Sequence, residues 1–280
     1  IRTTLWKGFD FYPSFSLTYS VNKKDFLQLS LNTDKTYPSY WQTTPGRTYM
    51  SPYCVTEGNP QLLPYMTYHF NGNYIINRRY VIGLFGESNP CYSTQLLYQD
   101  PEELIARYRY YNLKNNDKIG LLAVIPFSLG SWNDNNITIK PFSMRQREEF
   151  ASEEFNRNAI VGRAAMTSNF YFNKNKNLAA QLSGWYQLPM IQGIYDVKSM
   201  ANVSTSITWE PPKTSLTFIL SINDIFNTYK MGVNTNFKSQ KYSFDNNMDA
   251  RYIGLTIRYI FNKFSHKKSK TIDTERLGGL

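Results

Sequence analysis

The sequence is short of histidine, cysteine and charge. It has two histidines and two cysteines in 280 residues, and charged side chains make up only 19% of it. With His69 and His266 alone, imidazole catalysis has little to draw on. A Ser-His-Asp device would have to use His69, and no Gly-x-Ser-x-Gly elbow is present. Neither Gly-x-Gly-x-x-Gly nor Gly-x-x-x-x-Gly-Lys occurs, so no nucleotide-binding fingerprint is visible. Cys54 and Cys91 match no metal spacing and are too few for a disulfide framework. They read either as two independent thiols or as one bridge formed in an oxidising compartment. Long apolar runs are missing too. The longest, from Ile119 to Phe127, is interrupted by Gly120 and Pro126. It falls short of the roughly 18 residues of a spanning helix, although a spanning strand needs only about 9–11.

Aromatic residues take the place of the missing charge. There are 22 Tyr, 18 Phe and 5 Trp, together 16% of the chain, alongside abundant Asn, Ser and Thr. A coiled coil, a collagen-like chain and a disordered chain are excluded by that mix. Aromatics and Thr suit a pleated surface better than a helix. The net charge is +10, but the basic residues are dispersed and no basic helix is visible. Nucleic acid is therefore not an expected partner. The chain begins at Ile1 with no charged segment leading into an apolar one. The reading is that a leader has been removed or that this is part of something longer.

The strongest signal is alternation. From Phe9 to Val21 the odd positions are apolar or aromatic and the even ones mostly small and polar. The pattern returns around Met66–Ile76, Tyr80–Leu84, Leu178–Leu188, Val203–Trp209, Leu216–Ile222 and Ile253–Phe261. Period two over such lengths is a strand signature. Short polar turns near 22–25, 77–79, 174–177 and 211–214 separate long loops near 33–64, 190–198 and 228–248. Short turns at one end and long loops at the other mark an up-and-down membrane barrel. The polar face carries Ser, Thr, Asn and Gln more than Lys and Glu, which suits an enclosed, wet lumen. Aromatics at strand ends, among them Tyr171, Phe172, Trp209, Tyr259 and Phe261, fit interfacial girdles. The fold expected is all-β, an antiparallel transmembrane barrel of about eleven strands. Leu27, Phe70, Leu182, Ile207, Leu220 and Leu255 are expected on its lipid face.

Several segments carry a resemblance. Val55–Pro64 contains Gly58-Asn59-Pro60-Gln61-Leu62-Leu63-Pro64 just before a strand. This resembles the signature that precedes a barrel strand in TonB-dependent outer-membrane receptors. It is closer still to the outer membrane protein beta-barrel family. Leu220–Asn227 is similar to that family's penultimate strand, and Arg251–Phe261 to its final one. Tyr110-Tyr111-Asn112-Leu113 also fits. One departure is Tyr65 after Pro64, where the family has Glu. The resemblance implies a 22-strand barrel around a plug, of which eleven strands would be the C-terminal half. It divides the chain into a partial barrel, 1–263, and a basic tail, 264–280, without a plug. The location implied is the outer membrane of a Gram-negative bacterium. The partners implied are outer-membrane lipid, a plug domain, TonB and a surface lipoprotein.

No enzyme activity, cofactor or metal is expected. Neighbouring acids, Glu102-Glu103, Glu148-Glu149 and Glu153-Glu154, read as solvated loops. In the first long loop Tyr37, Tyr40, Trp41, Tyr49 and Tyr53 gather with Arg47. Such rings either pack into a rim or offer contact area to a ligand. His69, Arg163 and Arg258 are placed on the lumen face, the arginines as partners for plug carboxylates. The expected function is the barrel portion of a receptor that binds and passes a ligand. A non-transporting structural or adhesive barrel and a soluble β-rich carbohydrate-binding module stay open as alternatives.

Overall fold

The computed structural model describes residues 9–99, 103–150, 153–238 and 240–261. In chain order, β1 (Phe15–Ser20) and β2 (Phe26–Thr36) lead to one helical turn, α1 (Tyr40–Thr43). Two short strands follow, β3 (Arg47–Ser51) and β4 (Cys54–Glu57). Next come β5 (Tyr65–Ile76), β6 (Tyr80–Pro90), β7 (Ser93–Gln99), β8 (Ala106–Asn112) and β9 (Asn115–Leu129). The long pair β10 (Asn133–Phe150) and β11 (Glu153–Tyr171) precedes β12 (Leu178–Gln187), β13 (Met190–Gln192), β14 (Tyr195–Val197) and β15 (Met200–Trp209). The last are β16 (Leu216–Asn223), β17 (Lys230–Phe237), β18 (Gln240–Asn247) and β19 (Tyr252–Tyr259). The tail 264–280, His266 and Glu102 lie outside the described residues, as do the side chains of Glu149, Glu153 and Glu154.

Eleven strands form one antiparallel sheet in the order β1-β2-β5-β6-β9-β10-β11-β12-β15-β16-β19. Spatial order equals chain order, which is an up-and-down meander. The sheet is not closed. Among the described residues, β1 pairs only with β2 and β19 only with β16. Turns at 21–25, 77–79, 130–132, 172–177 and 210–215 lie at one end. Longer connections, 37–64, 91–114, 188–199 and 224–251, lie at the other, together with the tip of the β10–β11 hairpin.

Local chemistry explains the tight turns. Asn22 Oδ1 accepts hydrogen bonds from the Lys24 and Asp25 amides at 2.8 and 2.9 Å. Asn77 and Arg78 both have positive φ, 53° and 55°, in the three-residue turn between Ile76 and Tyr80.

The register shows which face is which. One ladder runs Tyr19–Leu27–Tyr74–Ile82–Ala123–Ile139–Ala164–Tyr186 without a polar residue. Another runs Ala180–Ile207–Leu220–Leu255. All six residues expected on the lipid side share this face. Five of them, Phe70, Leu182, Ile207, Leu220 and Leu255, are 42–67% exposed although nonpolar. The opposite face presents Gln181, Ser206, Ser221 and Gly254 in one ladder. At the turn end, Trp209 stacks on Phe218 and Tyr259 meets Phe261 edge to face.

Two features differ from the sequence expectation. The alternation from Phe9 continues through Val21, but β1 covers only six residues. Pro13 has no N–H to give to a ladder. The approach to β1 is tied to β2 instead by Thr33 Oγ1 donating to the Pro13 carbonyl at 2.8 Å and by Lys35 paired with Asp10 at 2.5 Å. The long loops also contain ordered strands. They build two further four-stranded sheets, β3-β4-β8-β7 and β13-β14-β17-β18.

Leu220 therefore tests the lipid face. Leu220→Arg is expected to cost about 2–4 kcal/mol in a folding titration in lipid if the site lies near the bilayer midplane. Arg at the opposite-face residue Ser206 is expected to cost much less.

Candidate functional site

The two small sheets meet above the long-loop end and share a core. Leu96 and Leu113 from the β7–β8 region bury against Ile194, Tyr195, Val197 and Val233 from the β13–β14 and β17 region. Hydrogen bonds join the same elements. The Tyr195 hydroxyl meets the Leu97 amide, and the Tyr242 hydroxyl donates to the Leu97 carbonyl at 2.5 Å. Gln240 and Gln99 exchange two bonds of 2.9 and 2.7 Å. The loops thus form a packed cap. Burial holds the Tyr195 and Tyr242 phenols above their ordinary pKa.

The segments behind the resemblance act as staples of this cap. Asn59 is 8% exposed. Its amide donates to the Tyr110 carbonyl at 2.8 Å, and its oxygen accepts from the Gln61 amide at 3.0 Å and Arg109 at 3.1 Å. Asn112 bonds both the amide and the carbonyl of Leu63, at 2.8 and 2.9 Å, and also the Cys91 carbonyl at 2.7 Å. Before Asn59, a Cβ on Gly58 would run into the Thr44 carbonyl oxygen, so only glycine fits. Asp224 is fully buried, yet it accepts from the Thr228 amide at 2.9 Å and the Tyr229 amide at 3.2 Å. It holds the exit from β16 toward the cap.

Below the cap lies the polar face of the sheet. Thr67, Asn89, Asn116 and Gln146 stand on adjacent strands in register and are all buried. The Asn89 amide group is 2.8 Å from the Thr67 hydroxyl and 3.0 Å from the Asn116 amide, and Gln146 donates to Asn116 at 3.0 Å. Gln146 in turn accepts from the Gly193 amide at 2.7 Å. Arg157 donates to the carbonyls of Gly193 and Tyr195 at 2.9 and 3.1 Å and pairs with Asp196. This bolts the cap to the wall.

Deeper on the same face, Lys118 donates to Glu87 at 2.7 Å, and His69 Nδ1 lies 3.9 Å from the other Glu87 oxygen. Lys140 and Arg163 are register partners. They sit over the rings of Phe85 and Trp185, at 4.0 and 4.5 Å. The wall is cationic here, with Glu87 the carboxylate among these groups.

The residues singled out in the sequence divide into three groups. His69 and Arg163 are on the polar face, as described. Arg258 is on it too, at the turn end, 3.4 Å from Thr217 and 4.0 Å from Glu210. The aromatic group is exposed at the rim, with Tyr40 and Trp41 70% and 82% accessible and in edge contact with each other. Tyr37, Tyr49 and Tyr53 are likewise exposed, and Arg47 pairs with Glu57 at 2.7 Å. They are not drawn into an enclosed pocket.

The idea of a bridge between Cys54 and Cys91 is corrected, because both thiols are free. Cys54 pairs with Ala106 at one end of β8, whereas Cys91 precedes Ser93, which pairs with Asn112 at the other end. Six residues of strand separate these points, about 20 Å. Sequence reasoning missed the ladder from Thr67 to Gln146, whose one visible sign was the wealth of Asn.

Two outcomes are expected for the cap. Gly193 has φ +58°, and a Cβ there would come within 2.5 Å of Leu96. Gly193→Ala should destabilise the cap by about 1–2 kcal/mol, read as faster amide exchange at residues 190–197. The raised phenols act through the neutral form. Their contribution is complete below about pH 10 and is lost as pH climbs through the raised values. Protection factors at residues 190–197, taken relative to intrinsic base-catalysed exchange, should therefore fall above about pH 10, and Tyr195→Phe should remove part of that fall.

Comparison with known proteins places this geometry. No curated protein sequence matches the chain. Among solved structures, a substituted ferric enterobactin receptor from Pseudomonas aeruginosa bound to enterobactin matches with TM-score 0.54 at 12% identity, over 88% of this chain and 40% of that one. Another complex of the ferric enterobactin receptor matches with TM-score 0.54 at 13% identity and the same coverage. The likeness is one of fold, and the chain spans about 40% of the length of those receptors. The outer membrane protein beta-barrel family matches residues 5–259. A meander with one apolar and one polar face, short turns at one end and built-up loops at the other, is what such a match requires, and the chain belongs to the outer membrane protein beta-barrel family.

Proposed function

We propose that the chain is the barrel portion of an outer-membrane receptor that admits a ligand under its cap and passes it along the polar face. The observation that carries this reading is the cationic wall of Lys118, Lys140 and Arg163 beneath a cap fixed to it through Gln146 and Arg157. Such a wall suits an anionic ligand or the carboxylates of a plug. The reading places the chain in the outer membrane of a Gram-negative bacterium, with a plug domain, TonB and a surface lipoprotein as partners. It includes no catalysis. The exposed nonpolar outer face counts against a soluble carbohydrate-binding module, because water would face Ile82, Leu121, Ile253 and Leu255.

Transport requires more than these strands. Among the described residues the outer edges of β1 and β19 are unpaired, and lipid cannot satisfy N–H and C=O groups left so, at a cost of several kcal/mol for each group. The chain alone is expected to aggregate, pair edge to edge, or insert only with further strands. The test compares liposomes carrying the purified chain with liposomes carrying it co-expressed with an upstream half. Labelled ferric enterobactin serves as the first probe. Uptake is expected only with both halves, and Lys140→Gln with Arg163→Gln should lower it at least about tenfold, the size of one or two charge contacts. Monomeric insertion with uptake by the chain alone would overturn the reading.

A further inference from the structure

The turn end of the sheet carries a basic cavity that the transport reading does not use. Its volume is about 690 Å³, and Lys23, Lys24, Asn77, Arg78, Arg79 and Tyr80 line it. Two neighbouring hairpin turns make it. The Arg78 amide donates to the Lys24 carbonyl at 2.8 Å, which clamps one turn against the other. The carboxylate nearest the cations is already committed. Asp25 accepts from the Asn77 amide at 2.8 Å and from the Asn22 side chain at 2.7 Å. Among the described residues no carboxylate lies within ion-pair distance of Lys23, Lys24, Arg78 or Arg79. Arg78 lies over Phe26 at 5.6 Å and Arg79 over Tyr80 at 5.9 Å, and Arg79 also donates to the Ser128 hydroxyl at 3.3 Å. Four cations share one concavity, and the carboxylates that feel them, Asp25 beside Lys24 and Asp134 toward Arg79, are fewer than the cations, so the concavity keeps a positive excess that suits an anion.

The surroundings select the anion. Tyr80 belongs to the apolar face of β6, and Ile82 and Leu84 continue that face, 59% and 44% exposed. A ligand whose phosphate sits among the cations would meet a nonpolar track leading into the membrane. Aromatic pairs mark the same end of the sheet. In a membrane barrel that level is the headgroup layer. We propose that the cavity binds the phosphodiester headgroup of an anionic phospholipid, with its acyl chains along Ile82 and Leu84.

The test uses the chain co-expressed with an upstream half, as in the liposome experiment, in dodecylmaltoside micelles, with retained lipid counted by native mass spectrometry. Phosphatidylglycerol should be retained about tenfold better than phosphatidylcholine, whose choline neutralises the phosphate. Arg78→Gln with Arg79→Gln, and separately Lys23→Gln with Lys24→Gln, should each lower that retention about tenfold or more, as expected for two interfacial cations. Lys213→Gln, in a different turn, should leave it unchanged. Equal retention by both double variants and the unaltered chain would overturn the proposal. So would equal retention of the two lipids. Millimolar inorganic phosphate displacing the lipid completely would also overturn it, since the site would then read a free anion and the acyl track would contribute nothing.

Discussion

Hydrocarbon offers a peptide group no hydrogen-bond partner, and the rest of the architecture answers to that constraint. A spanning segment with no long apolar helix must satisfy its backbone strand to strand. The eleven-strand meander pairs each interior strand on both sides along part of its length, and its register then assigns each side chain to one face or the other. Proline shows how tight the constraint is. The β9–β10 ladder runs from Asn133 to Ile139, is interrupted at Lys140 and Pro141, and resumes at Phe142. Pro141 brings no N–H to that interruption, and the register on the two sides is unchanged.

The spanning strands were legible because their signal is long. Alternation over seven or more residues in most of them leaves no helical reading, and most of the residues placed on the lipid side rest on it. The short turns were legible through Asn, Lys and Pro. The cap was not. Its strands run from three to eight residues, with Met190–Gln192 and Tyr195–Val197 the shortest. No period can be read from three residues. The core of the cap is also nonlocal, since Leu97 meets Tyr195 and Tyr242 across most of a hundred residues or more.

The candidate site divides the same way. His69 and Arg163 could be assigned to a face because strand parity is local. The buried ladder from Thr67 to Gln146 could not be foreseen, because four separate strands supply it. The segments with family resemblance were visible as text, but their physical role was not. Asn59, Asn112 and Asp224 turn out to be polar staples, each hydrogen-bonded to backbone groups of the long connections, with those of Asn59 and Asp224 part-buried. Burying such groups without partners would cost about 1–3 kcal/mol each.

The cap also bears on the shape of the sheet. The connection after β6 and the connection after β16 leave the meander six strands apart. In a flat sheet they would stand about 29 Å from each other, given roughly 4.8 Å between strands. Yet Gln99 bonds Gln240, and Leu96 packs with Val233. The connections, each more than twenty residues long, can reach across that span, and a sheet curled with its polar face inward shortens the reach. Curvature and cap therefore support each other: strand twist brings the loops within reach, and the shared core of Leu96, Ile194 and Val233 opposes flattening. The lumen wall inherits its geometry from that balance. Lys118, Lys140 and Arg163 share one face of the sheet, and the loops packed together beyond its long-loop end come from places distant in sequence.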